Sequence, residues 1–500
     1  MISANIRKLR SRTGISQDRL SKLSDLSLNT IVKVESGANP NPTIKTLVKI
    51  AKVFDVKVDD LLKAVIFATF CACWFGSVWA GPQQPKEKVI TLSEGIKIVL
   101  SDNRLIKISL LDNEISYEDS LLSRSVLLPQ VSLDASRSFL RFQPASRLNS
   151  QIVNTAQKDS YSYGFNVYQT LFDFGKNLSS YMASREKTKA QEARTESVKR
   201  VAVLEFIASY FDLLEAEKMI AVFEDEVKSL VSYLNDIEHL YQQGVVVEND
   251  VLPAKVRLAD VKQKLISSRN SRQLAVARLN NILSFPLRQA IIVRDIPGYP
   301  VSFPEMDRAW DMAKTNRPEV IFYNQQMQAS ISAERSKAAG NLPVIFAQAG
   351  YAYQQNQYQA HQDNFSTVLG AKMDLYDGGL ARAQLLKERL HRQQLGQQKE
   401  KLLEDIRFEI EESYYGLENA RETMLVAKDA LAQAEENVRF YRAKYEAGSA
   451  NPTEVLEAIT QETTAQANYY NSDYQLKRGY AKYLYSMGID LSLVYERMEK

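Results

Sequence analysis

The chain has 500 residues, of which 45% are hydrophobic and 25% are charged, and its 63 basic and 60 acidic residues leave a formal net charge of +3. This near balance gives no global bias toward nucleic acid, so any binding of a polyanion must be local. The sequence has three histidines and two cysteines, and it contains no HExxH, paired CxxC or phosphate-binding-loop motif. We therefore expect no catalytic residues, no cofactor and no metal site.

Residues 1–63 predict short helices joined by tight turns. Ser16 is placed to cap the helix that follows it, Gly37 to end another, and Thr43 to open a third. The segment resembles the Xre-type (phage-repressor-like) helix-turn-helix family. The resemblance is carried by Gly14-Ile15-Ser16-Gln17, Thr30-Ile31, Glu35-Ser36-Gly37, Thr46-Leu47 and Asp59-Asp60-Leu61-Leu62.

This resemblance implies a DNA-binding role for the helix from about Ser27 to Glu35, which enters the major groove in that family. The candidate DNA-facing residues are Gln17, Asn29, Thr30 and Lys33. The alternative is a small helical domain whose basic residues only keep it soluble.

A hydrophobic, signal-peptide-like segment follows at residues 64–81. Its uncharged part is shorter than a membrane-spanning helix of about 20 residues and is typical of the apolar region of a secretion signal. Val78-Trp79-Ala80 places small residues at the usual cleavage positions, so we expect cleavage after Ala80. The alternative is a buried core helix.

A DNA-binding domain ahead of a secretion signal is a contradiction, because DNA and the secreted product lie on opposite sides of the inner membrane. A gene fusion or a misplaced start would explain the combination.

Residues 82–490 contain one pattern twice. Leu171-Phe172-Asp173-Phe174-Gly175 is followed 204 residues later by Leu375-Tyr376-Asp377-Gly378-Gly379, and Gly244 is followed at the same distance by Gly448. Self-similarity of this kind predicts two copies of one structural unit. We place the first repeat at 82–284, a linker at 285–315, the second repeat at 316–490 and a tail at 491–500.

Each repeat predicts a strand hairpin, a long helix and a shorter return helix. In the first repeat these elements are expected at about 129–172, 176–243 and 250–284. In the second repeat they are expected at about 343–376, 380–447 and 453–487.

The long helices carry a heptad pattern, in which Leu213, Ile220, Val227, Leu234 and Tyr241 recur at every seventh position. A sustained heptad predicts coiled-coil packing. Each long helix is expected to span ~100 Å at a rise of about 1.5 Å per residue, and its return helix folds back on it to form an antiparallel hairpin.

The strands alternate between apolar and polar residues, as in Tyr161, Tyr163 and Phe165 against Ser162, Gly164 and Asn166. Strands of about ten residues can cross an outer membrane when they are tilted. Four strands cannot close a barrel, so a membrane sheet of this kind must pool strands with other copies of the chain. The alternative is a soluble sheet packed on helices.

The order of these elements and their equal spacing resemble the TolC outer-membrane efflux family over residues ~88–490. The resemblance implies a mainly α fold with membrane β structure. Three protomers, each giving four strands, would build a 12-stranded antiparallel β-barrel that continues into an α-helical barrel. It also implies a cell outer-membrane location extending into the periplasm, with outer-membrane lipid around the barrel and the linker in an equatorial region.

In function, the resemblance implies a passive exit duct of a tripartite efflux pump or a type I secretion system. The partners would be a periplasmic adaptor (membrane fusion) protein, which opens a periplasmic gate, and an inner-membrane transporter, which supplies the energy. The alternative is a cytoplasmic helix-turn-helix transcriptional regulator with a coiled-coil assembly region. DNA is a partner only if the N-terminal domain is retained in the cytoplasm.

Site residues also follow from the resemblance. The strand-to-helix corners would lie at Asp173, Gly175, Asp377, Gly378 and Gly379. The periplasmic gate would use Glu454, Glu457, Asp250 and Tyr445. The adaptor would contact the hairpin tips at Gly244, Val245, Val246, Gly448, Ser449 and Ala450. For the acids, the alternative is a role in the first turn of a helix, and for the glycines it is turn geometry alone.

Overall fold

The computed structural model describes residues 6, 9–11, 13–36, 42–54, 56, 88–296 and 303–498. The chain divides into two compact units, Met1–Gln83 and Gln84–Lys500. The predicted signal segment at 64–81, the cleavage position after Ala80 and the helix-ending Gly37 lie outside the described residues.

The first unit contains three fully bounded helices, α1 (Gln17–Leu23), α2 (Leu28–Ser36) and α3 (Ile44–Val53). The Ser16 hydroxyl accepts a hydrogen bond from the Arg19 amide at 3.2 Å, and the Thr43 hydroxyl caps α3 in the same way. Side-chain oxygens at these positions satisfy amides that have no partner within the helix. Leu20, Ile31, Val34, Leu47 and Ile50 form the core of this unit.

The second unit repeats one order of elements. The first half consists of β1 (Lys88–Ile90), α4 (Leu92–Asp102), α5 (Arg104–Ser125), β2 (Gln130–Phe139), β3 (Ala145–Leu148), β4 (Gln151–Asn154), β5 (Asp159–Phe172), α6 (Lys176–Gln242) and α7 (Glu248–Ile282). The second half consists of β6 (Ile291–Val293), α8 (Met306–Asn316), α9 (Pro318–Ala338), β7 (Val344–Gln354), β8 (Asp363–Lys372), α10 (Leu380–Glu446), α11 (Pro452–Ser486) and α12 (Leu491–Met498).

Four strands form an antiparallel sheet in the order β2-β5-β7-β8. The two repeats meet at its centre, where β5 pairs with β7 and Tyr163 lies opposite Tyr353. The outer strands β2 and β8 each have a partner on one side only. Within one protomer, the sheet therefore has two open edges.

The loop between β2 and β5 carries the β3–β4 hairpin, in which Leu148 lies opposite Gln151. In the second repeat, residues 355–362 join β7 to β8 without a further strand. The longer first repeat is thus explained by an insertion at a loop, where added residues disturb little packing.

The helices continue the order of the strands. Helix α5 packs on α6, α6 on α9, and α9 on α10, and each of these helices adjoins in sequence one strand of the sheet. Further along, α6 pairs with α7 and α10 pairs with α11. These two pairs are the antiparallel hairpins that the heptads predict, and each long helix spans ~100 Å at about 1.5 Å per residue.

A large core surrounds the middle of α6, where β1 pairs in parallel with β6. We call the region between the helical wall and the hairpins the equator. Tyr210 is fully buried there, and its hydroxyl donates to the Arg294 carbonyl at 2.7 Å. Because a buried Tyr must satisfy its polar end, this bond fixes the linker against α6.

A buried lysine also holds the linker. The Lys477 side chain is only 7% exposed, and its ammonium lies 2.9 Å from the Asp295 carboxylate and 3.1 Å from that of Asp473. The Tyr474 hydroxyl donates to Asp295 at 2.8 Å. Burial alone would raise the pKa of Asp295, but the hydrogen bonds from Lys477 and Tyr474 outweigh it and the pKa is lowered. The linker carboxylate therefore stays ionised against α11.

None of the helices in the described part of the chain is both long enough and apolar enough to cross a membrane.

The end of α11 passes close to the start of α9, and this contact requires a glycine. Gly488 has a φ of +74°, and a β-carbon there would lie 2.9 Å from the carbonyl carbon of Asn316 and 3.0 Å from the Arg317 amide nitrogen. We predict that Gly488→Ala lowers the thermal unfolding midpoint of the purified protein, because a left-handed β-carbon costs about 1–2 kcal/mol before the clash is added.

The matched control is Gly416→Ala. Gly416 lies inside α10, and a β-carbon there meets nothing within 4 Å. Alanine at such a position stabilises a helix by roughly 0.5–1 kcal/mol. Equal midpoints for the two variants would contradict the close approach at Gly488.

Candidate functional site

The two hairpin tips have the same backbone geometry. Gly244, at φ +75°, follows α6, and Gly448, at φ +73°, follows α10. After each helix, the glycine amide bonds to the carbonyl three residues back and the next amide bonds to the carbonyl five residues back, all at 2.9 Å. This is the Schellman type of helix ending, which places glycine in the left-handed region. Turn geometry therefore accounts for both tip glycines.

The tips differ in their side chains. Val245 and Val247 in the first tip are 67% and 63% exposed, whereas the second tip carries Ser449 and Asn451. The Ser449 hydroxyl is used within its own tip, since it donates to the Lys444 carbonyl at 3.0 Å. The first tip is thus apolar and the second polar.

Two of the predicted gate acids cap the return helices. The Glu454 carboxylate accepts from the Asn451 amide at 2.8 Å, while the Asn451 side chain accepts from the Thr453 amide at 3.1 Å. The Asp250 carboxylate accepts from the Val247 amide at 3.2 Å. Such acids stabilise a helix start by satisfying amides and by opposing the helix dipole.

The two glutamates of α11 remain open to solvent. Glu454 and Glu457 are both exposed, and they lie three residues apart on α11. Residues at this spacing share one face of a helix. The first turns of α11 therefore present a pair of carboxylates to solvent.

A tyrosine that sequence reasoning missed connects the two hairpins. The Tyr233 hydroxyl of α6 donates to the Pro452 carbonyl at the start of α11, and the Tyr233 ring centroid lies 6.3 Å from that of Tyr445. Burial raises the pKa of Tyr233, and Tyr445 and Asp250 raise it further. The hydroxyl therefore remains a donor at every physiological pH.

Tyr445 lies beside this contact. Its hydroxyl is buried and has no hydrogen-bond partner among the described residues. Burial raises the pKa of Tyr445, and the charges of Asp236 and Asp250 raise it further. Of the four predicted gate residues, the structure thus brings Tyr445 and Asp250 together around Tyr233.

A cavity of about 1080 Å³ lies between the hairpins at the tips. Val245 and Val246 from the first tip and Gly448 and Ala450 from the second all line it. The two predicted adaptor-contact segments therefore adjoin within one protomer. Glu454 and Glu457 lie on the neighbouring turns of α11 and do not line this space.

The strand-to-helix corners are built alike in both repeats. The Asp173 carboxylate accepts from the Gly175 amide at 3.1 Å and from the Asn177 amide at 2.9 Å. Asp377 accepts from Gly379 and from Ala381 at 3.0 and 2.8 Å. The left-handed backbone needed here falls on glycines, with φ of +80° at Gly175, +68° at Gly378 and +88° at Gly379.

Phe174 is the departure at these corners, because it adopts φ +55° where the second repeat has Gly378. A side chain in this region costs about 1–2 kcal/mol. Its ring packs on Phe172 at a centroid distance of 4.8 Å, which offsets part of that cost.

In the N-terminal unit, Asn29 and Lys33 lie exposed on α2. The Thr30 hydroxyl lies 2.8 Å from that of Ser27. The Gln17 amide donates to the buried Glu35 carboxylate at 2.6 Å, and the Arg10 guanidinium pairs with the same carboxylate at 2.7 Å. Gln17 therefore has a structural partner within its own unit.

The described residues contain no group of three or more His, Cys, Asp or Glu side chains placed to hold a metal ion.

An open four-stranded sheet that continues, strand by strand, into a wall of long paired helices defines the protomer of an outer-membrane channel. The outer membrane efflux protein family model matches residues 110–284 and 310–482, and the chain belongs to this family. A helix-turn-helix model matches residues 6–61.

Among similar proteins, outer membrane protein TolC of Escherichia coli is 19% identical over 397 residues, covering 75% of this chain and 77% of that protein. Outer membrane protein TolC of Salmonella enteritidis is 20% identical over 406 residues, covering 78% and 80%. The crystal structure of the Campylobacter jejuni CmeC outer membrane channel superimposes with a TM-score of 0.70 at 14% identity, covering 82% of this chain and 89% of that one.

These comparisons confirm the predicted family, the fold class, the non-enzymatic character and the outer-membrane location extending into the periplasm. The chain is an exit duct of the outer membrane. Channels of this family are trimeric and work with adaptor and inner-membrane pump partners.

The tip contact gives a direct prediction. Tyr233→Phe removes the hydroxyl that joins α6 to the start of α11, and one such hydrogen bond contributes about 1 kcal/mol. We expect amide hydrogen exchange in residues 452–460 to become several-fold faster. Tyr241→Phe is the control, because Tyr241 lies on the same helix and is exposed. An unchanged exchange rate in Tyr233→Phe would show that the hairpins are held by other contacts.

Proposed function

We propose that this chain is the exit duct of a tripartite efflux pump or a type I secretion system, with a periplasmic gate at the hairpin tips that adaptor contact opens. The observation that carries the proposal is the Tyr233 hydroxyl bond to the Pro452 carbonyl beside the tip cavity. The two hairpins share a small apolar core near their ends, to which Tyr233, Val251 and Val455 belong, and a space of about 1080 Å³ lies beside it. Separating the tips therefore opens this core as well as breaking the Tyr233 hydrogen bond.

The acids support a selective entrance. Threefold symmetry would place three copies of Glu454 and of Glu457 around one axis, with Asp250 and Tyr445 behind them. Like charges at a narrow aperture repel one another and attract cations. The first-turn position of Glu454 is compatible with this role, because its side chain caps the helix and is exposed at the same time.

The contact that holds the gate closed in this chain must differ from the arginine contact that can occur in the family. By resemblance, Ala450 occupies a position where an arginine can brace the gate, so this chain has no such cation there. We infer that Tyr233 takes over part of that bracing, because its hydroxyl bonds to Pro452, two residues beyond Ala450.

The adaptor contact falls on Gly244, Val245, Val246, Gly448, Ser449 and Ala450. Exposed valines in the first tip offer apolar area, and burial of such area against a partner is worth roughly 25 cal/mol per Å². Small residues in the second tip allow a partner's backbone to approach closely. An adaptor whose own contact surface has an apolar part and a polar part would match the apolar first tip and the polar second tip.

The charge of the entrance can be tested directly. Replacing Glu454 and Glu457 by Gln removes six carboxylates from a trimer, two from each protomer, so we expect the cation preference of the open channel to fall. The measurement is the reversal potential of single channels across a planar bilayer in a salt gradient.

Glu422→Gln is the control for this experiment, because Glu422 is an exposed acid of α10 far from the tip. It should leave the reversal potential unchanged. If the double variant keeps the cation preference of the unmodified channel, the two glutamates have no role in the gate.

A second candidate function, DNA binding by the N-terminal unit, is favoured by the helix-turn-helix match over residues 6–61 and by the exposure of Asn29 and Lys33.

The two functions predict mature proteins with different N-terminal residues. For the exit duct, N-terminal sequencing of the protein from isolated outer membranes should begin at or near Gly81. A soluble protein that still begins at Met1 would favour the DNA-binding function.

A further inference from the structure

A second cavity lies in the helical wall, far from the tips. It has a volume of about 780 Å³ and is lined by α6, α9 and α10 of one protomer. This volume is in the range that holds drug-sized molecules, about 300–1,000 Å³. Lys387 lies eight residues beyond the corner at Gly379, which places the cavity ~12 Å along α10 at about 1.5 Å per residue.

The lining combines two leucines, Leu386 and Leu390, which are 55% and 56% exposed, with unpaired cations. Leu386 and Leu390 of α10 contribute the apolar area, and Lys187 of α6 and Lys387 of α10 contribute the charge. Neither lysine has an acidic partner within 4.0 Å among the described residues, and both are exposed. Glu388 is the single carboxylate in the lining, so the cations outnumber it.

The neighbouring cations of the same helix behave differently. Arg389 and Arg392 of α10 pair with Glu334 of α9 at 2.9 and 2.8 Å. The wall thus neutralises the charges next to the cavity and leaves those in it free for a ligand. Coulombic attraction at a partly enclosed apolar surface is stronger than in open water.

A buried hydroxyl group in the lining also favours a polar ligand. Ser330 of α9 also lines the cavity and is 4% exposed, and its hydroxyl has no hydrogen-bond partner among the described residues. A buried hydroxyl without a partner is costly, so a ligand oxygen that accepts its proton would be favoured.

From these features we infer that the cavity binds a soluble amphipathic organic anion, whose sulfonate or carboxylate meets Lys187 and Lys387 while its apolar body lies on Leu386 and Leu390. As a statement about cargo, this rests on the proposed exit-duct function. The binding itself can be measured separately.

Cysteine labelling provides the test, because the only natural cysteines are Cys71 and Cys73. The full chain would carry serine at both positions and Leu390→Cys as a reporter. It would be held in nanodiscs of phosphatidylcholine, so that no anionic lipid is present. The rate of labelling by N-ethylmaleimide is then measured with taurocholate, an amphipathic sulfonate, and with dodecyltrimethylammonium, an amphipathic cation.

We expect taurocholate to slow the labelling several-fold and the cation to have little effect. Adding Lys187→Gln and Lys387→Gln should abolish the protection, whereas Lys262→Gln, an exposed lysine of α7, should preserve it. The inference is overturned by absent protection, by equal protection from the cation, or by protection that survives loss of both lysines. Normal channel conductance without protection would overturn this inference alone, and protection without conductance would overturn only the exit duct.

Discussion

The structure depends on the pairing of backbone groups at the two open edges of one small sheet. In a bilayer, every amide and carbonyl must find a partner within protein, because lipid offers none. Strands β2 and β8 each lack a neighbour on one side within the protomer, so the sheet is complete only when copies join edge to edge. The helices repeat the strand order, and closure of the sheet therefore sets the arrangement of the helical wall as well.

The two hairpins are held together at the equator and again near the tips. At the equator, Lys477 is almost fully buried and has two carboxylate partners, and breaking such a buried pair is costly. Near the tips, residues of both hairpins share a smaller apolar core that includes Leu230, Val251 and Val455, and the Tyr233 hydroxyl bonds to Pro452 beside a large cavity. Motion is therefore expected at the tips rather than at the equator, because fewer buried contacts oppose it there.

Much of this fold could be predicted from repeats and periodic patterns in the sequence. Duplicated glycines, heptads and alternating strands define two copies of one unit, because each pattern matches one period of secondary structure. The β3–β4 hairpin has no counterpart in the second repeat, so the duplication does not predict it. Its central residues, Asn149 and Ser150, both adopt positive φ, and Asn-Ser is a weaker hairpin signal than Asn-Gly.

The candidate site could be predicted less completely. Position and spacing indicated the tips, but Tyr233 lies next to the heptad position of Leu234 and not on it, so the heptad pattern does not mark it as buried. Its hydroxyl contact is made with the other repeat, 219 residues away, and no local pattern encodes a contact of that range. Likewise, sequence alone could not show that Glu454 caps a helix and is exposed at the same time.

The long helices also act as levers. From Tyr210, which is bonded to the linker at the equator, helix α6 continues to Gln242, a distance of ~48 Å at about 1.5 Å per residue. A tilt of roughly 5° about that fixed point moves the tip by ~4 Å, more than the length of a hydrogen bond, which is about 3 Å. Tyr233 lies closer to the fixed point, ~35 Å from Tyr210 at about 1.5 Å per residue, so the same tilt moves it by ~3 Å. A small rotation of the long helix is thus enough to stretch the Tyr233 contact by about the length of one hydrogen bond.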